Sequence, residues 1–303
     1  MIRYKTTDWL ALIFKSYSKE VLRKLLPSLI LIGIYTAGIV YLVNDYWQFN
    51  FVSTTEVHSI LGIVLGLFLV FRMNSAYDRW WEGRVQWGNL VVTSRNLAYK
   101  LNAYVPADDS VNRDWLKMMI TNFPLSMKEH LRGGVKFEEL RFPNEKIEEV
   151  LRSSYGVPGA IVGLIYERLN VLIKSGTISG EQLITIDKEL SVFSVVLGSC
   201  ERIRNTPIPY SYSMYLKKFI FTFLITLPFA FVTEFEYFTI PIVMFLFFIL
   251  VSIELIAEEI EDPFGNDEND LPTNELTFTI MRDVSKAFEM GDEILPRKIE
   301  ELQ

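Results

Sequence analysis

The chain is poor in the side chains from which many enzyme and metal sites are built. Its 303 residues include a single cysteine, Cys200, so no disulfide can form within the chain and no cysteine cluster can bind a metal. Only two histidines occur, His58 and His130, which disfavours a histidine-based metal site within one chain. The lone thiol fits a soluble bulk that faces a reducing compartment.

The short motifs of common catalytic folds are also absent. The sequence contains no phosphate-binding loop ending in Lys-Ser/Thr, and no GxGxxG, HExxH, CxxC or GxSxG pattern. Its net charge of −7 disfavours nucleic acid as a partner, because phosphate binding requires a basic surface. We therefore expect no enzyme, no catalytic residues and no required cofactor.

The sequence instead contains long apolar runs with almost no charged residues. Half of its residues are hydrophobic, and they gather into a few segments. A helix needs about 20 mainly apolar residues to cross the hydrocarbon core of a bilayer. The runs predict an all-α membrane protein with four transmembrane helices, over residues 26–43, 57–71, 219–232 and 240–256.

The distribution of basic residues predicts the orientation of these spans. The connections 44–56 and 233–239 contain no Lys or Arg, whereas the first 25 residues contain six. By the positive-inside rule, both connections without basic residues lie outside the cell, and both termini lie in the cytosol. We expect a multi-pass protein of the plasma (inner) membrane.

Helical periodicity continues through the middle of the chain, with breaks at prolines and glycines. It predicts cytosolic helices over 76–105, 114–131, 144–153, 160–174 and 181–203. The segment before the first span is amphipathic, and it lies either on the membrane surface or against its own protein. The predicted organisation is an N-terminal interfacial segment (1–25), a first transmembrane pair (26–72), a large helical cytosolic region (73–216), a second transmembrane pair (217–260), and an acidic turn with the C-terminal tail (261–303).

Three stretches carry recognisable motifs. They are FRxNxxYxRWxExRxxWG within 62–88, CERxxxTPxPxxY within 197–218, and ExEDPFGxxxNDLP within 257–276. With four spans in this order, the chain resembles the bestrophin family, and most closely its bacterial members. The resemblance covers nearly the whole chain and implies a homopentamer around a central pore. It also implies a narrow apolar neck lined by the second span, and a cytosolic vestibule closed by a second constriction.

The resemblance assigns the neck to Ile63, Leu67 and Phe71. Residues four apart lie near one helix face, and a narrow apolar constriction gates by losing its water. The alternative is that these side chains face lipid or neighbouring helices. Gly62 and Gly66 form a GxxxG pattern on a nearby face, where it permits close helix packing.

The family's lower constriction maps near Glu181. A ring of carboxylates there would attract cations, but Glu181 could also cap the start of a helix, where the dipole favours a carboxylate. Animal relatives pass chloride and other small anions, whereas bacterial relatives are associated with monovalent cations. The acidic chain and Glu181 favour a cation channel slightly, with a chloride channel as the alternative.

The acidic turn matches the calcium clasp of animal bestrophins. The resemblance implies carbonyl ligands from Asp262 and Asn266, side-chain ligands from Asp267 and Asp270, and a further carbonyl near Trp9 or Leu10. Calcium prefers such oxygen ligands. The alternative is a solvated acidic segment without bound metal.

Glu254 is a carboxylate within the fourth span, where an unpaired charge is costly. We expect it to pair with a basic residue at the base of the membrane, and Arg72 is the first candidate.

Two functions of other classes remain as alternatives. A secondary transporter is disfavoured by the four spans and by the lack of an inverted repeat, although Pro228 interrupts the third span. A membrane scaffold that conducts nothing would have no continuous cavity along the axis of its oligomer.

Overall fold

The structure, a computed structural model, describes the backbone of residues 16–47 and 55–300 and the side chains of residues 23–46 and 55–289. The predicted interfacial segment before residue 16 lies outside these ranges. The described residues form helices and no β-strand, which confirms the all-α prediction. The α-helices are α1 (Ser16–Tyr41), α2 (Thr55–Tyr104), α3 (Ser110–Leu131), α4 (Glu145–Ser153), α5 (Val157–Lys174), α6 (Gly180–Asn205), α7 (Tyr210–Phe235), α8 (Thr239–Glu261) and α9 (Thr273–Glu300).

Shorter helical turns complete the fold. A π-helical segment, Leu42–Trp47, ends α1, and 3-10 turns cover Phe137–Glu139 and Glu236–Phe238. The contacts divide the chain into two compact units. The first unit contains residues up to 80, 207–263 and 267–270, and the second contains 81–206, 264–266 and the residues from 271 onward.

Within the described residues, three helical stretches are long and apolar enough to cross a membrane: Arg23–Tyr46, Thr55–Tyr104 and Tyr210–Glu261. The third stretch consists of α7 and α8, which the turn Glu236–Phe238 separates. The apolar segments predicted from the sequence at 57–71, 219–232 and 240–256 therefore lie in α2, α7 and α8, and the segment 26–43 lies in α1 and the start of the π-helical segment that follows it.

The core of the first unit joins α2, α7 and α8. Leu65 and Leu69 of α2 pack with Phe223 and Leu227 of α7 and with Val243 of α8. A smaller cluster joins the end of α1 to α7 through Ile39, Val40, Val43 and Val232. Because lipid tails are as apolar as these side chains, van der Waals fit between the helices is what favours this packing in a bilayer.

Polar contacts mark the two ends of the first unit. At one end the Tyr237 hydroxyl donates a hydrogen bond to the Asp45 carboxylate. At the other end Lys217 pairs with Glu258, and Lys24 lies 3.5 Å from Glu259. Asp45 and Tyr237, one from each of the two connections without Lys or Arg, therefore lie at the same end of the unit, as antiparallel neighbours require.

Pro228 lies inside α7, where it removes one helical hydrogen bond and crowds the preceding turn. The Tyr35 hydroxyl of α1 donates a hydrogen bond of 3.0 Å to the carbonyl of Ile225, which lies in that turn. The carbonyl that loses its helical donor to Pro228 is that of Leu224, four residues earlier, and Tyr35 binds the next carbonyl in the same turn.

The second unit packs α3 against α5, α6 and α9. Its buried centre includes Trp87, Phe123 and Phe193, and the last two rings lie 4.7 Å apart between centroids. Arg113 donates hydrogen bonds to the carbonyls of Asn102 and Phe288, which ties α3 to α2 and α9.

Cys200 is fully buried in the second unit. Burial, with a smaller contribution from the nearby carboxylates of Glu82 and Glu201, raises the pKa of its thiol to about 12. The thiol is therefore protonated and unreactive, which agrees with a structural role.

Candidate functional site

The three predicted neck residues lie on the exposed face of α2. The side chains of Ile63, Leu67 and Phe71 are 74%, 56% and 55% exposed, whereas Leu65 and Leu69 on the other face are 1% and 4% exposed. The buried face faces α7 and α8. The chain's own described helices thus leave the predicted neck positions uncovered.

The two glycines of the GxxxG pattern have ordinary surroundings within the described chain. A Cβ atom built on Gly62 would lie 3.6 Å from the ring of Phe223, which is normal van der Waals contact. A Cβ atom on Gly66 would meet nothing within 4 Å. Among the described helices, none requires a glycine at either position.

Arg72 and Glu254 are brought together at the end of the first unit. The Arg72 Nε atom lies 3.5 Å from Glu254 Oε2, and the two side chains are 1% and 6% exposed. This contact is an ion pair without an aligned hydrogen bond. Removing one partner of such a buried pair leaves an uncompensated charge in an apolar surrounding.

Glu261 is a third member that the sequence analysis missed. Its Oε2 atom lies 2.8 Å from Arg72 Nη2, and its Oε1 atom accepts a hydrogen bond of 2.7 Å from the backbone N–H of Ile208. Its backbone carbonyl accepts a hydrogen bond from Arg79. Since Glu261 lies seven residues after Glu254, the two carboxylates fall on one face of α8, and this spacing could have identified it. We call Arg72, Glu254 and Glu261 the membrane-base cluster.

A second cluster of charges lies in the second unit, around Glu129 on α3. The Glu129 carboxylate lies 3.2 Å from Lys128 Nζ, 3.2 Å from Arg132 Nη1 and 2.9 Å from Lys136 Nζ. Burial by itself would raise the pKa of Glu129, but hydrogen bonds from Lys136 and Lys128, together with their charges, lower it below its ordinary value. These four residues, called the Glu129 cluster, line a polar cavity of about 400 Å³.

Glu181 lies in the first turn of α6 and is exposed. The cap of this helix belongs to other residues. The Ser179 side chain accepts a hydrogen bond from the Gln182 N–H, and the Gln182 side chain accepts one from the Ser179 N–H. This capping box satisfies the helix start without Glu181, so the carboxylate is available to solvent.

The acidic turn is held by its own hydrogen bonds. The Asp267 N–H donates to Asp270 Oδ2 at 2.5 Å, and the Asp270 N–H donates to the Asp267 carbonyl at 3.1 Å. Asp270 is buried, whereas Asp262 and Asp267 are exposed. Asn266 is also exposed and belongs to the second unit, and Trp9 and Leu10 lie outside the described residues.

The oxygen atoms of this turn are its potential calcium ligands. Calcium takes six to eight oxygen ligands, but one of the two proposed carboxylates is already engaged by a backbone N–H. Within the described ranges, no group of three or more His, Cys, Asp or Glu side chains could hold a metal ion. The predicted clasp relies mainly on backbone carbonyls, one of them near Trp9 or Leu10 outside the described residues, so calcium binding stays a prediction.

Long apolar helices, an uncovered apolar face on α2 and a buried arginine–carboxylate cluster are, in the described part of the chain, features of a multi-span helical membrane protein. The family model described as Bacterial/Fungal Bestrophin protein matches residues 1–286. The chain belongs to this family.

Individual relatives agree with this assignment. The chain is 33% identical over 302 residues to the voltage-dependent anion channel-forming protein YneE of Escherichia coli K12, covering 99% of this chain and 97% of the relative. It is 31% identical to a protein of the same description from Ralstonia nicotianae, with 92% of each chain covered. These relatives are named as channel-forming proteins, and with the family they confirm the prediction that the chain is not an enzyme.

Solved structures show the same fold. A bacterial bestrophin homologue from Klebsiella pneumoniae, carrying one substitution, superimposes with a TM-score of 0.82 at 29% identity, covering 87% of this chain and 98% of the other. Another structure of a homologue from this organism gives a TM-score of 0.80 at 30% identity, covering 86% and 97%. The predicted resemblance to bacterial bestrophins is thereby confirmed.

Proposed function

We propose that the chain is one subunit of a bestrophin-type ion channel, in which five copies surround a central pore in the inner membrane. Both termini lie in the cytosol in this arrangement. The observation that carries the proposal is the row of exposed apolar side chains at Ile63, Leu67 and Phe71, on a helix whose opposite face is buried. A homo-oligomer covers this row with copies of itself or turns it toward the pore.

In the proposed assembly, each of the three residues contributes one apolar ring to the neck. Successive rings are separated by four residues, which corresponds to about 6 Å along a helix. Water leaves such a narrow apolar passage, so ions cannot cross until it widens. No catalytic residue, partner protein or bound metal is needed for this function.

The neck is tested by single-channel recording in planar bilayers, with Leu67→Ala beside the wild-type protein. We expect ohmic single-channel steps, and a several-fold higher time-averaged conductance for the variant, because a smaller side chain lowers the barrier to hydration of the neck. Ile30→Ala, which shortens an exposed apolar side chain of α1 instead, is the matched control and should behave as wild type. Flux that saturates and requires a co-substrate would indicate a transporter, and no conductance in any variant would indicate a scaffold.

The selectivity of the pore has two candidates, each with its own support. The names of the relatives describe anion channels, which supports chloride and other small anions as the permeating ions. The exposed carboxylate of Glu181 supports monovalent cations, because five copies in one ring would attract cations and repel anions.

The reversal potential under a sodium chloride gradient separates these candidates. For an anion channel we expect a shift toward the chloride equilibrium potential, with Glu181→Ala unchanged. A shift toward the sodium equilibrium potential that Glu181→Ala weakens would identify a cation channel with Glu181 in its path. Glu138→Ala removes another exposed carboxylate of the second unit and controls for the loss of one charge.

A further inference from the structure

A cavity of about 680 Å³ lies within the first unit, between α1, α7 and α8. Most of its lining is apolar. Representative side chains are Leu31, Ile32, Ile220, Leu224, Phe247 and Val251. Its volume falls in the range of about 300–1,000 Å³ that is typical of small-molecule sites.

The polar groups of the cavity are concentrated toward one end. Lys217 at the start of α7 and Glu258 near the end of α8 both line it, and the two side chains form an ion pair. Glu254 of the membrane-base cluster lines the same region. The cavity is therefore amphiphilic, with an apolar body and a charged end that carries both signs.

This cavity is separate from the proposed pore. No α2 residue is among its lining residues, whereas the predicted neck residues all lie on α2. An apolar interior also offers no ligands to a permeating ion. Its occupant is therefore a molecule of another class.

The mixed charges at one end of the cavity favour a lipid over a helix of a neighbouring subunit as its occupant. On α1 the lining runs from Leu25 to Tyr35, or about 15 Å of helix. An apolar space that ends in a cation and a carboxylate matches a molecule with hydrocarbon chains and a headgroup that carries both charges.

We propose that this cavity binds a phospholipid with a zwitterionic ammonium headgroup. The acyl portion occupies the apolar body between α1, α7 and α8. The headgroup separates the Lys217–Glu258 pair, so that Lys217 binds the phosphate and Glu258 binds the ammonium. Charge complementarity at a basic site between transmembrane helices is a known basis of headgroup recognition. The carboxylate distinguishes this site from one for a purely anionic lipid.

Native mass spectrometry of the purified full-length oligomer tests this proposal, because it counts bound lipids without requiring conduction. The protein is delipidated in detergent and titrated with phosphatidylethanolamine or with phosphatidylglycerol. We expect saturation at one phosphatidylethanolamine per subunit, with phosphatidylglycerol about tenfold weaker because its headgroup lacks the ammonium that Glu258 would bind.

Variants with matched controls test whether the lipid binds in this cavity. Leu31→Trp fills the cavity and Lys217→Ala removes the phosphate partner, and each should weaken phosphatidylethanolamine binding about tenfold. Ile30→Trp and Lys218→Ala change adjacent exposed residues that do not line the cavity, and they should bind as wild type. Ser28→Trp is a second way to fill the cavity if Leu31→Trp does not fold.

Three outcomes would overturn the proposal. Equal binding of both lipids that no variant alters would mean a non-specific lipid shell. Preference for phosphatidylglycerol would remove the role of Glu258. A change in subunit number in Leu31→Trp, with lipid binding unchanged, would mean that another copy of the chain occupies the cavity.

Discussion

The membrane-base cluster and the Glu129 cluster have opposite arrangements of charge. In the membrane-base cluster, one buried arginine lies between two carboxylates. In the Glu129 cluster, one buried carboxylate lies among three cations, of which Lys136 is 59% exposed. Water can replace a lost partner in the Glu129 cluster but cannot reach Arg72. Ion pairing should therefore contribute more to the stability of the first unit than to that of the second.

The largest expected effect comes from removing the central cation of the first cluster. Arg72→Met leaves Glu254 and Glu261 without their shared partner, which should destabilise the folded protein by about 3–5 kcal/mol. Thermal and denaturant unfolding of the purified protein in detergent measures this loss. A loss below about 1 kcal/mol would mean that the cluster is no more important than a surface ion pair.

Glu254→Gln is the matched control for that variant. It keeps the shape of the side chain and leaves Arg72 paired with Glu261 at 2.8 Å, so its effect should be clearly smaller. If Glu254→Gln changed neither unfolding nor conductance, the expected role of the Glu254–Arg72 pair would be wrong.

A smaller effect, dependent on pH, is expected from the Glu129 cluster. The pKa of Glu129 is lower in the folded protein than its ordinary value of 4.5, so the folded state favours the ionised form. The stabilisation is therefore complete above the ordinary value and is lost as the pH falls through the lower folded value. Glu129→Gln should cost about 1–2 kcal/mol at neutral pH, and its unfolding free energy should fall less steeply below pH 4.5 than that of the wild type.

Unfolding as a function of pH, compared with Glu138→Gln, checks this expectation. Glu138 is an exposed carboxylate nearby in sequence, and its replacement should leave the pH profile unchanged. Parallel profiles for Glu129→Gln and the wild type would contradict the assignment of acid sensitivity to this cluster.

Much of the helical framework could be predicted from the sequence, because apolar runs and their breaks have local causes. All four apolar segments fall within helices of the first unit. The predicted helix boundaries were less accurate where a capping hydrogen bond determines the first residue of the helix. The second predicted cytosolic helix was expected to begin at 114, but α3 begins at Ser110, because the Asp109 side chain accepts a hydrogen bond from Asn112 N–H.

The interpretation of the candidate site had similar limits. The Ser179–Gln182 capping box is a local pattern, so the sequence could have shown that Glu181 is not needed as the cap. Glu261 could have been found from its spacing to Glu254.

The division of the acidic turn between the two units could not have been predicted. A Cβ atom on Gly83 would lie 3.1 Å from the Phe264 ring and 3.2 Å from Leu271. This close fit within the second unit joins residues about 180 positions apart in the sequence, and no local pattern specifies it. Within the predicted segment 261–303, residues up to Pro263 and Asp267–Asp270 belong to the first unit, whereas Phe264–Asn266 and the residues from Leu271 onward belong to the second.

The hydrogen bond from Tyr35 to the Ile225 carbonyl has a mechanical consequence. A helix weakened by proline can bend there at low energetic cost, but this bond couples the bend in α7 to α1. Tyr35 and Ile225 also line the large apolar cavity. Flexing α7 at Pro228 would change the width of that cavity, so a molecule held inside it would act as a wedge that resists the motion.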